Sequence, residues 1–380
     1  MLMMAGTTAQ AGWLFVMAAG VFALLLASYV FPHRLDQLEI HRELPRRLRV
    51  GDDANVKLRL TNTGRSSIPM LRLEDRIPAF EPVVVASEAI PGNGVTSFEN
   101  SRVAHRRGDF DGGHALVRGG APFGLGRTKR SVATSGGVTV VPRWVHLRTF
   151  PLVEPSATPS EVEHDRARSG AGEEYIGVRD YRPGDPRKAV HWRTSARAGK
   201  LVVREFEEHV LTRVAVVVAG MEVGEPPDSA FERVVSAAAS VAHFALGHGH
   251  PVELLTATDE GIDRLSTLDR RDVLDALARV QPSIWDPAAV ANEALHSVQR
   301  RGPVVLCVTS RGAPESALTD AVRSIRAGGA RPIVVVADGS SWEHEDAAVP
   351  DPAMSELDRV GGIVRVLRAD EELEACLRGS

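Results

Sequence analysis

The period of the apolar residues changes once along this chain, near residue 210, and that change constrains the fold more than any other feature of the sequence. Between about 36 and 141, short runs such as LEIHREL, ANVKLRLTN, MLRLED and EPVVVAS alternate apolar with polar residues. A period of two belongs to half-buried strands, whose side chains point to opposite faces in turn. Turn residues (NTGRSS, PGNG, DGG) separate the runs, and no helical period intervenes. An antiparallel β-sandwich-like domain is therefore expected over residues 33–148. Beyond 210 the apolar runs become continuous: RVAVVVA, VELLTA, PVVLCVT and RPIVVVAD. Strands that a parallel sheet buries on both faces read this way. Between the first two, Phe231, Val234, Val235, Ala238, Val241 and Ala242 share one helical face behind Asp228 as N-cap. Asp286-Pro287 sets another N-cap with proline at the first helical position. The alternation predicts a doubly wound α/β domain over residues 210–380. Residues 149–209 form a linker, rich in Pro, Ser and Ala up to 171, followed by a segment of different character.

At 380 residues, with 43% hydrophobic and 25% charged residues, the chain has globular proportions and room for two domains. A formal net charge of -4 gives no global attraction to nucleic acid, so no nucleic-acid partner is expected. Cys307 and Cys376 are too few and too distant for a metal cluster or a disulfide framework. Cys307, inside VVLCV, reads as a small core residue.

No Asp, Glu, Lys or Arg precedes Arg34, and residues 13–31 are almost wholly apolar. As a helix they would extend roughly 28 Å, with Trp13 and Tyr29 near the ends and Pro32 as a stop. A membrane-spanning helix within residues 1–32, touching the lipid bilayer through residues 13–31, is the expectation. A cleaved signal peptide competes, but it calls for a basic leading region. Arg34, Arg42, Arg46, Arg47 and Arg49 follow the span closely. The positive-inside rule then gives a single-pass inner-membrane protein with its domains in the cytoplasm.

Motifs for nucleotide and catalytic chemistry fail their tests. The nearest P-loop candidate, TSARAGKLV, has Thr194 in place of the first glycine and Leu201 in place of the hydroxyl residue. The glycines of GGAPFGLG, at 119–126, open no helix. His248 and His250 lack a carboxylate or thiol companion, and no GxSxG elbow exists. No cofactor, no metal and no enzymatic activity are expected.

Residues 172–209 are not generic. Eight basic residues interleave there with seven acids, and Tyr175, Tyr181 and Trp192 stand among them. Pro183-Gly184-Asp185-Pro186 is a stiff turn. Three readings remain open: an arginine–carboxylate lattice stapling the two domains, a protein-recognition surface anchored by Tyr, Trp and Arg, or a nucleic-acid surface. The near-equal number of acids weighs against the last. Asp185 fits the lattice best and Trp192 the surface.

This segment resembles the signature of the bacterial family called domain of unknown function number fifty-eight. The matching positions are Gly172, Glu174, Tyr175, Arg179, Tyr181, Pro183, Gly184, Asp185, Arg187, Trp192, Ala196, Arg197, Gly199 and Leu201. Arg107, Gly108 and Phe110 match an Arg-Gly-x-aromatic element, and residues 122–125 a Pro-Phe-Gly-Leu turn. The resemblance implies a von Willebrand factor type A-like C-terminal domain. It also implies a partner, a MoxR-type AAA+ ATPase, with this chain as a membrane-anchored adaptor for it or for envelope-related client proteins. The implied partner-binding residues are Tyr175, Arg179, Tyr181, Arg182, Asp185, Arg187, Trp192, Arg193 and Arg197. A hydrolase or nucleic-acid-binding protein using 172–209 is the alternative. Two departures stand out: members begin with two spans where one is read here, and Ala219 to Val223 replaces the Asp-x-Ser-x-Ser of type A metal sites. That loop offers one carboxylate and no hydroxyl, so a hard cation lacks its ligands even with Thr309, Ser310 and Asp338 at later strand ends.

Overall fold

The computed structural model describes residues 12–30, 35–119, 128–152, 173–182, 190–208, 212–298, 302–311, 315–342, 357, 359–360 and 362–378. Contacts group Met1–Val145, Glu222–Ala239 and Arg271–Gln281 in one compact unit, and His146–Met221, Ser240–Arg270 and Pro282–Ser380 in a second.

The first helix, α1, runs Gly12–Val30. It does not bear out the expected crossing: among the described residues no helix is long and apolar enough to span a membrane.

The strands of the first unit are β1 (Leu38–Glu43), β2 (Arg47–Arg49), β3 (Asp53–Asn62), β4 (Leu71–Arg76) and β5 (Val83–Ser87). After them come β6 (Val95–Val103), β7 (Gly108–Phe110), β8 (His114–Gly119), β9 (Thr128–Ser135) and β10 (Val138–Val141). Seven of them form one sheet in the order β5-β4-β8-β9-β1-β3-β6, and three form a second, β2-β10-β7. The expected all-antiparallel sandwich is overturned here. β1 pairs β9 in parallel, β2 pairs β10 in parallel, and the larger sheet curls until it is nearly a barrel. Alternation reports which face a side chain takes, not the direction of the neighbouring strand, so the sequence pattern could not show this.

The alternation itself places the core. On β3, Ala54, Val56, Leu58 and Leu60 point inward and are all buried. Leu58 and Leu60 join one apolar cluster with Ile40, Leu71 and Leu73, whereas Ala54 and Val56 join another with Ile77, Phe80 and Val140. Between the clusters, on the same inward faces, stand Arg42, Asp75 and Arg102. Arg42 follows Ile40 and precedes Leu44 by two residues; Asp75 follows Leu73 and precedes Ile77 by two.

In the second unit, β11 (Glu173–Asp180) and β12 (Val202–Glu208) form a two-stranded ribbon carrying α2 (Trp192–Ala198). A six-stranded sheet has the order β15-β14-β13-β16-β17-β18. These strands are β13 (Val214–Ala219), β14 (Val252–Thr258), β15 (Gly261–Thr267), β16 (Pro303–Thr309), β17 (Arg331–Ala337) and β18 (Ile363–Leu367). The expected doubly wound parallel arrangement is corrected to a mixed sheet, because β15 runs antiparallel to β14. Asp259 and Glu260 turn the chain straight back into an edge strand that is largely exposed, too polar for its period to be read as a strand. The central strands are buried throughout, as continuous apolar runs require. The remaining described helices are α3 (Ala230–Gly247), α4 (Arg270–Arg279), α5 (Pro287–Ser297), α6 (Glu315–Ala327) and α7 (Leu373–Arg378), of which nearly all of α4 and the part of α3 up to Ala239 group with the first unit. Val290 and Ala294 of α5 and Leu318, Val322 and Ile325 of α6 pack with Val217, Leu306 and Val334 of the sheet. Asp286 caps α5 by accepting the Ala288 amide at 3.0 Å.

Candidate functional site

α2 is a helix of seven residues, too short to stand by itself, and three contacts hold it. His191 caps it, its Nδ1 accepting the Thr194 amide at 3.2 Å. Gly199 ends it at φ 66°, the left-handed conformation that glycine takes without strain. Ser195 is buried, accepting the Val202 amide through Oγ at 2.9 Å and donating to the Val202 carbonyl at 3.3 Å. Around it, the His191 amide donates to the Val202 carbonyl at 2.8 Å, the Tyr181 amide to the Leu201 carbonyl at 3.0 Å, and Val190 bridges Val203.

With Ser195 turned inward, the helix shows other residues outward. Trp192 is 65% exposed, and Arg193, Arg197 and Leu201 are exposed as well. Tyr181 is half-buried and Arg182 exposed. Tyr175 and Arg179 lie on β11, opposite Phe206 and Val203 of β12, with a register shift between Tyr175 and Gly177. Asp185 and Arg187 fall outside the described residues, as does the Pro-Phe-Gly-Leu turn. Lys200 meets Asp180 at 2.7 Å, but both are mostly exposed and the pair adds little stability.

The inter-segment ties expected of 172–209 have a counterpart elsewhere, inside the first unit. Arg107, of the Arg-Gly-x-Phe element, donates through Nε to the Leu277 carbonyl at 3.1 Å, through Nη2 to the Val280 carbonyl, and through Nη1 to Glu232. Its guanidinium lies 5.4 Å from the centroid of the Phe231 ring. Arg279 meets Asp109 at 3.0 Å and Arg47 meets Asp275 at 3.1 Å. Beside this socket, burial raises the Glu222 carboxyl above its ordinary range, the Ser229 hydroxyl opposing the shift.

The ends of the central strands commit their polar groups to the loops. Thr309 Oγ1 accepts the Met221 amide at 3.0 Å and donates to the Arg311 carbonyl at 2.8 Å. Ser310 Oγ accepts the Gly339 amide at 3.0 Å, and Asp338 Oδ1 takes the Ser340 hydroxyl at 2.7 Å. Among the described residues no three His, Cys, Asp or Glu side chains come together as a metal site. Cys307 is fully buried, and burial pushes its thiol up, away from nucleophilic reactivity. Sequence reasoning missed the layer of Arg42, Asp75 and Arg102, although charges at inward positions of three alternating strands were there to be read.

A stretch of 72 residues is 38% identical to the uncharacterized protein YeaD of Bacillus subtilis (strain 168), covering 19% of this chain and 17% of that protein. The chain thus matches only a small share of that relative's length. Among solved structures, the CARDB domain of the PF1109 protein of Pyrococcus furiosus aligns with 27% of this chain and 87% of its own, at 12% identity and a TM-score of 0.21. A β-glucosidase from Listeria innocua aligns with 27% of this chain and 16% of its own, at 14% identity and a TM-score of 0.14. Neither likeness bears on function. A family model described as "Protein of unknown function DUF58" matches residues 177–370, half of the chain including α2 and the six-stranded sheet, and the chain belongs to that family.

Proposed function

We propose that the chain is a non-enzymatic adaptor, and that its α2 surface binds a protein partner, a MoxR-type AAA+ ATPase. The observation that carries this reading is the exposure of Trp192 in the first turn of a helix that Ser195 fastens to β12. A large aromatic side chain kept 65% in water gives up burial worth roughly 1.5–3 kcal/mol, so its retention on a rigid element speaks for a use in binding. Trp and Arg are the residue types enriched at interface hot spots, and Arg193 and Arg197 are exposed on the same short helix. The resemblance of 172–209 to the family signature supplies the identity of the partner.

The test is capture of the purified ATPase by the immobilised full chain. Trp192→Ala and Arg193→Glu should each weaken capture by about tenfold or more, with the melting temperature held within a few degrees. Unchanged capture in both variants would remove the basis of the reading.

A further inference from the structure

Arg42, Asp75 and Arg102 make a charged layer inside the curled sheet, 1%, 0% and 5% exposed. Apolar residues close it on both sides: Ile40, Leu73 and Phe98 on one, Leu44, Ala54 and Ile77 on the other. Among the described residues, the ion pairs of both guanidinium groups go to the one carboxylate of Asp75. Two cations against one anion leave a single positive charge in a region of low dielectric.

The two arginines are not equally served. Arg42 Nη2 donates to Asp75 Oδ1 at 2.5 Å, and Nη1 donates to the carbonyls of Gly112 and Gly136. Arg102 turns Nη1 to Asp75 Oδ2 at 2.9 Å, whereas its Nε and Nη2 are buried without a hydrogen-bond partner. The Nε of Arg42 is in the same condition. A buried charged donor left unmatched forfeits the hydrogen bond it had with water, so an acceptor at this place would be strongly favoured.

The geometry points to a binding site for a small monovalent inorganic anion of the chloride class, held by Arg102 and the Nε edge of Arg42 inside the β-domain. A water molecule could accept hydrogen bonds there but could not neutralise the surplus charge. Burial pushes the Arg102 guanidinium below its ordinary range and the nearby Arg42 adds to that, while Asp75 holds it up. Because the layer is closed, the anion is taken up as the domain folds, and its binding adds directly to stability.

Thermal unfolding of the full chain, with chloride replaced by gluconate at constant ionic strength, tests this. The melting temperature should rise by about 2–4 °C for each tenfold rise in chloride. Arg102→Met removes the surplus charge and should abolish the dependence. Should that variant fail to fold, crystals of the unaltered protein grown in bromide decide the matter through an anomalous peak beside Arg102. A melting temperature indifferent to chloride, a dependence that survives in Arg102→Met, or water without anomalous signal in bromide crystals would each overturn the site.

Discussion

Arg102 on β6 lies 2.9 Å from Asp75 on β4, although these strands stand at opposite sides of the seven-stranded order, one an edge and the other next to the far edge. The pair therefore spans the inside of the curled sheet and marks how far the sheet has closed on itself. Asp75 is also within 2.5 Å of Arg42 on β1, so a single carboxylate links three strands that are not hydrogen-bonded to one another.

Removing that carboxylate should be severe. Asp75→Ala leaves two buried guanidinium groups facing each other, and breaking a buried pair typically costs about 3–5 kcal/mol. That is a large share of a domain's whole stability of about 5–15 kcal/mol. Chemical denaturation should show the midpoint falling accordingly, or no cooperative transition at all. A loss under about 1 kcal/mol would mean that the layer is open to water.

Arg107 should matter to stability for a different reason. Its partners include the Leu277 and Val280 carbonyls at and just beyond the end of α4, where helical carbonyls lack intrahelical donors. Arg107→Met keeps much of the packing on Phe231 and removes the donors. The expected loss is about 2–4 kcal/mol, read as a lower denaturation midpoint. Glu232→Gln, which leaves the carbonyl contacts in place, should cost less.

Much of this was legible before the fold, and what was not has a physical cause. The inward sets on β3 and β4 follow from alternation, and the buried β13 and β16 from their unbroken apolar runs. Strand direction did not follow: the parallel pairing of Ile40 with Thr134 joins residues too far apart in sequence for any local signal. β15 was missed because an exposed edge strand such as GIDRLST has no buried face to impose a period. The α1 expectation rested on hydropathy over 13–31, and the helix falls short of a crossing over its described residues. At α2, Trp192 and Arg193 could be singled out by type, whereas Ser195 could not. Its role comes from both hydrogen bonds to Val202, seven residues on, a contact that only the folded ribbon creates.

Ser195 gives a prediction separate from Trp192. Ser195→Ala removes the hydroxyl that holds α2 to β12 and leaves the Val202 amide without its acceptor. Partner capture should then weaken although Trp192 is intact, because the anchor is presented on a loosened helix. Hydrogen exchange across residues 192–203 should speed up in the same variant. Unaltered exchange would assign the rigidity of α2 to other contacts.

Acid sensitivity should come in part from His243. Burial, then the nearby charges of Arg270 and His146, lower its pKa from 6.5 to about 4. His146 packs edge-on against it, with ring centroids 5.0 Å apart. In the folded protein His243 is thus neutral at a pH where the unfolded chain has already bound a proton. Between about pH 6.5 and pH 4 the unfolded state holds more protons, so stability falls as the pH falls through that window. Glu222 acts with the opposite sign, since its raised pKa makes the folded state the one that holds the proton. A bare acid titration would mix the two, so the comparison has to be between variants. His243→Phe keeps an aromatic ring against His146 and removes the titration. Its melting temperature should decline less steeply than that of the unaltered chain between pH 6.5 and pH 4, while the two run parallel above pH 7. Equal slopes on the acid side would mean that His243 takes up its proton as readily in the folded protein as in the unfolded chain.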